Sequence, residues 1–220
     1  MNNRPVFEAE HNCICAYADH SILEFYKGYY ESVYIILNPF TKLNKATIEI
    51  EKVKWKDFLK ISGLKDINQL DIALRNSISG LNQKYLEKEN LSKLNGGCEN
   101  HGLTPPSEGE FPKILINDFL ASLLDLEHQF MFVADEHGFE RKLVYIQEVI
   151  NDPDKVELKF SGHENWYTNK HEVLYTTHWD SFYSLLCSDR QTINTILKKY
   201  PFEGFFCDHN TEIYWSLKKW

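Results

Sequence analysis

The sequence lacks any apolar run that could cross a membrane. Its apolar runs, such as residues 33–37, are far shorter than the roughly 20 residues of a membrane-spanning helix. Residues 1–10 contain one Arg and two Glu but no apolar segment of the kind that secretory signals have. We therefore predict a cytoplasmic protein without a membrane partner.

An excess of positive charge is absent as well. The 220 residues include 24 Lys and Arg against 32 Asp and Glu, which gives a net charge of −8 with neutral histidine. Proteins that bind nucleic acids neutralise many phosphates with basic side chains, so we expect no nucleic acid partner. An acidic surface either keeps a protein soluble or attracts a basic protein, and both interpretations stay open.

The cysteine content does not indicate a disulfide framework. Five cysteines, an odd number, are scattered along the chain, and a chain of this length can build a core without cross-links. We therefore predict reduced thiols at Cys13, Cys15, Cys98, Cys187 and Cys207.

A zinc site is not indicated either. Residue types that bind zinc are densest near the N-terminus, at His11, Cys13, Cys15 and His20. One residue separates Cys13 from Cys15, whereas zinc motifs usually have about two to four between paired ligands. Cys98 and His101 supply only two ligands between them. We predict that the protein binds no metal and no cofactor.

Several catalytic signatures are missing from the sequence. It contains no G-x-S-x-G elbow, no phosphate-binding glycine-rich loop, no H-E-x-x-H helix and no dinucleotide-binding fingerprint. These are the motifs from which a single sequence most readily reveals an enzyme class. The sequence therefore names no reaction, and whether the protein is an enzyme stays open.

The composition is that of a globular protein, with 43% hydrophobic and 25% charged residues and no internal repeat. We predict a single domain over residues 1–220. Residues 96–110 hold four glycines and two prolines, a density of helix breakers that predicts a long loop. This loop is the one place where the domain could be subdivided.

The periodicity of the apolar residues predicts an α+β fold. Helical spacing covers most of residues 54–95, with Gly63 ending one helix and Asp66 capping the next, and it returns at residues 114–126. A further helix follows a capping box at residues 188–191 and stops at Pro201. Strands are predicted at residues 33–37, 47–53, 130–133, 142–146, 156–160, 173–177, 182–187, 204–207 and 212–217. The result is a mainly antiparallel sheet in the second half of the chain, with a helix-rich segment before it.

Four residues of the second half are candidates for chemistry. His178 and Asp180 are two residues apart and share one face of an extended segment, so the carboxylate could orient a general base. Asp208 and His209 raise the same question, although the turn-forming tendency of residues 208–210 already explains them. This pattern supports one interpretation, a hydrolase or metal-dependent enzyme that uses these four residues.

The leading interpretation is a binding protein for a basic partner. Aromatic residues make up 14% of the sequence, and rings surrounded by carboxylates suit a cationic surface. The aromatic residues concentrate at Trp166, Tyr167, Tyr175, Trp179, Phe182 and Tyr183. They form either a binding groove or part of the core, and only their exposure distinguishes the two.

Two segments resemble a known family. They are residues 34–40, YIILNPF, and residues 203–216, which contain EGFFCD and TEIYWS. Both are similar to segments of the bacterial YwbB-like family of unknown function, which occurs in Bacillus-type organisms. The resemblance implies a bacterial cytoplasmic protein, and it assigns no activity and no functional residue.

The purified protein is expected to contain no stoichiometric zinc and no disulfide, because its Cys and His spacings fit neither framework. Elemental analysis measures the metal content. Thiol labelling followed by mass measurement, with and without reductant, counts the free cysteines. Stoichiometric metal, or fewer than five reactive thiols in the unfolded chain without reductant, would contradict the prediction.

Overall fold

A computed structural model describes residues 13–18, 20–44, 46–152 and 163–217. Its helices are α1 (Ile22–Phe25), α2 (Trp55–Ser62), α3 (Ile67–Ser77), α4 (Lys88–His101), α5 (Lys113–Asp125), α6 (Ile146–Val149) and α7 (Arg190–Lys199). Its strands are β1 (Ser32–Leu37), β2 (Phe40–Asn44), β3 (Glu49–Val53), β4 (Leu103–Thr104), β5 (Phe130–Ala134), β6 (Arg141–Tyr145), β7 (Asn165–Tyr167), β8 (Leu174–Thr177), β9 (Tyr183–Ser188) and β10 (Gly204–Phe206). None of these helices is long and apolar enough to cross a membrane.

The strands form two antiparallel sheets. Seven strands lie in the order β10-β1-β9-β8-β7-β5-β6, and β3-β2-β4 form a small second sheet. All six residues of β1 pair with β9, from Ser32 opposite Ser188 to Leu37 opposite Tyr183. The predicted α+β class is confirmed, and the large sheet also takes one central strand, β1, from the first half of the chain.

Both faces of the large sheet are covered. Because side chains alternate along a strand, Val33 and Ile35 of β1 join one apolar cluster, whereas Tyr34 and Ile36 join another. The first cluster contains residues of α2, α3 and α4, and the second contains residues of α5 and α7. The sheet is therefore the middle of three layers, and all six residues of β1 are buried.

Local signals in the sequence match several element ends. Gly63 follows α2 with a φ of 73°, in the left-handed region that glycine adopts readily at the end of a helix. The Asp66 carboxylate accepts a hydrogen bond from the Gln69 N–H at 2.9 Å and caps α3. The predicted hairpin is present as β5 and β6. The prediction of a capping box at residues 188–191 is wrong. Asp189 caps α7, and Ser188 belongs to β9.

The long loop predicted at residues 96–110 is wrong in its first part. Helix α4 continues through Gly96 and Gly97 to His101. A Cβ atom at Gly97 would lie 2.9 Å from Cζ of Phe58, so this glycine allows α4 to approach α2 closely. The glycines that suggested a helix break thus serve helix packing, and an irregular connection remains only between β4 and α5.

The hairpin predicted at residues 204–217 is also wrong. Strand β10 pairs with β1, with Ile36 opposite Gly204. Residues 212–217 form turns, apart from an isolated bridge between Ser21 and Glu212. The predicted turn at residues 208–210 is present, with the Asp208 carboxylate accepting the Asn210 N–H at 2.9 Å. The strand predicted at residues 156–160 lies outside the described residues, and so do residues 1–10.

We expect Gly97→Ala to lower the free energy of unfolding by about 1–3 kcal/mol, the usual cost of overpacking. The Phe58 ring cannot easily move, because it is fully buried and stacks on Phe40 with a 4.1 Å separation of ring centroids. Gly96→Ala is the matched control, since a Cβ atom there meets open space, and it should stabilise the helix by about 0.5–1 kcal/mol. Urea unfolding of both variants measures the difference, and equal shifts would contradict the packing argument.

Candidate functional site

A cavity of about 270 Å³ lies at one end of strands β7 and β8. Its lining comes from five separate segments of the chain, which meet only in the folded protein. They are residues 14–18, the turn between β5 and β6 with Glu136 and His137, the start of β7 with His163 and Asn165, the end of β8 with Thr177, His178 and Trp179, and Tyr214. No Lys or Arg is among these lining residues.

Gly109 holds one wall of this cavity in place. Its carbonyl oxygen accepts a hydrogen bond from Oγ1 of Thr177 at 2.8 Å and one from Nδ1 of His163 at 2.6 Å. Its φ of +63° is in the left-handed region, and a Cβ atom would lie 2.9 Å from Cα of Trp179. Only glycine fits this position, so the loop around residue 109 packs directly against three lining residues, Thr177, His163 and Trp179.

The pKa of His178, a lining residue of the cavity, is far from its usual value. Its burial and then the positive charge of Arg75 lower the pKa of His178 to about 4, so the ring is neutral near pH 7. The Asp180 N–H donates to Nδ1 of His178 at 3.2 Å. Because Nδ1 accepts, the proton of the neutral ring is on Nε2. In this arrangement the His178 ring has an N–H donor at Nε2.

Arg75 of α3 supports the cavity from the protein interior. It is fully buried, and its Nε lies 2.8 Å from Oδ2 of Asp71, whose side chain is also buried. The guanidinium donates to the carbonyl oxygen of Asp180 and, at 3.0 Å, to that of Ile213. One buried side chain thus joins α3, the residues after β8 and the C-terminal segment.

Tyr214 lines the cavity and contacts both Arg75 and Asp180. Its hydroxyl donates to Oδ2 of Asp180 at 2.8 Å, and its ring centroid lies 4.7 Å from the Arg75 guanidinium. The ring also meets His178 edge to face, with 6.2 Å between centroids. Burial and the hydrogen bond to the Asp180 carboxylate raise the pKa of Tyr214 to about 12, so the hydroxyl keeps its proton. Tyr214 therefore holds the Asp180 carboxylate beside His178.

Carboxylates surround the cavity. Glu136 lines it, Asp180 is bound to Tyr214, and Glu108 precedes the glycine of the wall. Burial, followed by the negative charge of Asp180, raises the pKa of Glu108. The charge of Asp180 therefore acts on Glu108, as neighbouring carboxylates do when each disfavours ionisation of the other.

Two aromatic side chains of the lining are open to solvent. Trp179 is 54% exposed and Tyr17 is 48% exposed. Aromatic faces attract cations, and carboxylates pair with them. The arrangement of open rings and carboxylates can therefore hold a cationic group.

The structure separates the four predicted site residues into two pairs. His178 lines the cavity, and Asp180 contacts it through its N–H. Asp208 and His209 are exposed, and neither is among the lining residues. The Asp208 carboxylate accepts hydrogen bonds from Asn210 and Thr211 within its own turn.

Sequence reasoning missed Tyr17, His163, Tyr214 and the buried Arg75. These residues are far apart along the chain, and no motif connects them. Of the predicted aromatic concentration only Trp179 is exposed, and the others are buried, namely Trp166, Tyr167, Tyr175, Phe182 and Tyr183.

The sequence predicts that the five cysteines are reduced thiols. All five are described, and none is in a disulfide. Burial raises the pKa of Cys15 and of Cys207 to about 12, so both thiols keep their protons. Sγ of Cys13 lies 2.9 Å from Nδ1 of His171. The described residues contain no group of three or more His, Cys, Asp or Glu that could hold a metal ion, and His11 lies outside them.

Acidification should destabilise the protein through His178. The unfolded chain takes up the proton near pH 6.5 and the folded chain only near pH 4. Between these values the unfolded state binds more protons, so the free energy of unfolding falls as the pH falls, by up to roughly 3 kcal/mol for this group. His178→Asn, which keeps an acceptor at the Nδ1 position, should lose this part of the pH dependence.

Urea unfolding at pH 7 and pH 4.5 measures that loss. His209→Asn is the control, because this side chain is exposed in a turn, and it should leave the pH dependence of the wild type unchanged. The same pH dependence in His178→Asn and in the wild type would mean that His178 is protonated in the folded protein.

The comparison with known families gives one result, which covers most of the fold and the cavity lining apart from residues 14–17. Neither curated proteins nor solved structures match the chain. The model of one protein family, described as a protein of unknown function (DUF2711), matches residues 18–217. This match includes every element from α1 to β10, so the chain belongs to the DUF2711 family of proteins of unknown function.

Proposed function

We propose that this protein is a binding protein for a basic protein, and that the partner places a cationic side chain in the cavity beside Trp179. The observation that carries this proposal is the combination of two exposed aromatic rings and the Glu136 carboxylate in one cavity, whose lining has no Lys or Arg among the described residues. The net charge of −8 supports it, because a negative surface steers a basic partner toward the protein.

The aromatic and acidic side chains have different parts in this binding. A cation over the face of Trp179 gains about 0.5–1 kcal/mol at an exposed site and about 2 kcal/mol or more once water is excluded. Carboxylates at the rim, such as Glu136, act mainly on the rate of association. Affinity should therefore depend on Trp179 and the association rate on Glu136.

The low pKa of His178 favours a cationic ligand. A protonated imidazole in the lining would repel a Lys or Arg side chain. Because the pKa of His178 is about 4, the ring carries no charge at neutral pH. Among the described residues, the carboxylates at or beside the cavity are those of Glu108, Glu136 and Asp180, and the nearby cation, Arg75, is paired with Asp71 in the interior.

The alternative is a hydrolase or a metal-dependent enzyme that uses His178, Asp180, Asp208 and His209. It has weaker support. The His178 Nδ1 accepts an amide hydrogen bond, which leaves no acceptor nitrogen on the neutral ring for a proton from water or a nucleophile. Asp208 and His209 lie in an exposed turn outside the lining.

We also propose a single-domain, cytoplasmic protein of bacterial origin. The origin rests on the resemblance of residues 34–40 and 203–216 to the YwbB-like family. The location is supported by five cysteines that form no disulfide, since extracellular proteins more often oxidise theirs. Membranes and nucleic acids are not expected among the partners.

Trp179→Ala should weaken binding of a basic protein partner by at least about tenfold, because buried aromatic anchors carry much of the energy of an interface. Glu136→Gln should instead slow association. A pull-down from lysate with the wild type and with Trp179→Ala identifies proteins whose retention depends on the cavity. Association and dissociation rates of the retained protein are then measured at several salt concentrations.

Two variants control for general effects of surface substitution. Tyr29 is 63% exposed and Glu31 is exposed, and neither lines the cavity. Tyr29→Ala and Glu31→Gln should therefore bind like the wild type. The wild-type association rate should fall as salt rises, because charges separated by more than about 8 Å are screened at 0.15 M. An acidic partner, retained nucleic acid or full binding by Trp179→Ala would contradict the proposal.

A further inference from the structure

A second cavity, of about 220 Å³, lies between helix α5, the end of helix α7, strand β1 and the hairpin of β2 and β3. We call it the lysine groove. It is lined by Ile36, Leu37, Pro39, Lys52, Lys54, Leu115, Asp118, Lys199, Tyr200, Pro201, Phe202 and Glu203. It shares no lining residue with the first cavity.

The floor of the lysine groove is apolar. Ile36, Leu115 and Phe202 are buried and belong to the core cluster between the large sheet and helices α5 and α7. Leu37 and Pro39 extend this floor toward the β2–β3 hairpin. An apolar molecule in the groove would rest on side chains that the core already holds in position.

Both carboxylates of the groove already have partners. Asp118 is bound by Lys52, with 2.5 Å between Oδ2 and Nζ. Glu203 accepts the backbone N–H groups of Trp55 at 2.6 Å and of Lys56 at 3.0 Å, which are the first two of helix α2. Neither carboxylate is therefore free to neutralise a further lysine.

Lys54 differs from the other lysines of the groove in its ion pairing among the described residues. Lys199 pairs with Asp125, with 2.8 Å between Nζ and Oδ1. Lys54 is partly buried, and among the described residues its ammonium has no ion pair. It does act on the charge of Asp57, but that carboxylate is held by Lys60, with 2.6 Å between Oδ1 and Nζ.

We propose that the lysine groove binds a small-molecule monocarboxylate with an apolar body. The carboxylate would pair with Lys54, and the body would cover the floor around Ile36, Leu115 and Phe202. One uncompensated cation matches one negative charge, whereas a dianionic phosphate needs more donors. The volume of about 220 Å³ lies below that of pockets for drug-sized ligands, about 300–1,000 Å³, so the ligand is small.

Octanoate is the probe for this proposal, and 1-octanol is its uncharged counterpart. Isothermal titration calorimetry of the full chain measures binding of both. Octanoate should bind, and Lys54→Gln should weaken it about tenfold, the loss expected for one charge-assisted hydrogen bond. Lys54→Gln should fold normally, because the Lys54 side chain makes no capping hydrogen bond to α2. 1-Octanol should bind at least tenfold more weakly than octanoate.

Lys60→Gln is the matched control, since Lys60 is an exposed lysine of helix α2, which begins directly after Lys54, and it lies outside the lining. It should bind octanoate like the wild type. No octanoate binding by the wild type would overturn the proposal. Equal binding by Lys54→Gln, or 1-octanol binding as tightly as octanoate, would show that the carboxylate is not recognised and would overturn it too. Binding of a basic protein at the other cavity is measured separately, so either proposal can fail alone.

Discussion

The buried ion pair of Arg75 and Asp71 is the interaction on which the first cavity depends. Both side chains are fully buried, and Ser216 adds a hydrogen bond to Oδ2 of Asp71 at 2.5 Å. The pair ties helix α3 to Asp180 and to the C-terminal segment at Ile213. Removing one partner of such a pair leaves a buried charge and typically costs about 3–5 kcal/mol. Loss of this ion pair would therefore also release the segments at Asp180 and Ile213 that Arg75 holds.

The part of the fold that the sequence predicted is the part set by local patterns. The run at residues 33–37 is apolar on both faces because β1 lies in the middle layer, and the Asp66 cap and the Gly63 end of α2 need only a few neighbouring residues. The role of Gly97 could not be predicted from its neighbours in the sequence. A glycine that breaks a helix and one that allows two helices to touch have the same sequence signal, and only the position of Phe58 distinguishes them.

The candidate site could be predicted only in part. His178 and Trp179 drew notice because their residue types are chemically distinctive. Arg75 did not, because an arginine in a helix is usually solvated, and its burial depends on Asp71 and on carbonyl groups more than 100 residues away in the chain. The aromatic residues at 166–183 were expected to form either a binding groove or part of the core, and they do both. Tyr175 is buried in the core, whereas Trp179 is exposed in the cavity. The sequence carries no signal for that difference, because exposure depends on which segments pack over each ring.

The same ion pair explains why the cavity keeps its negative charge. Arg75 is the cation beside Asp180, yet it contacts only the backbone carbonyl of that residue and gives its ion pair to Asp71. The Asp180 carboxylate is bound instead by the neutral hydroxyl of Tyr214. The positive charge of Arg75 still helps to keep His178 unprotonated. Arg75 thus helps to keep the His178 ring uncharged while its own ion pair is with Asp71 and not with a carboxylate of the cavity.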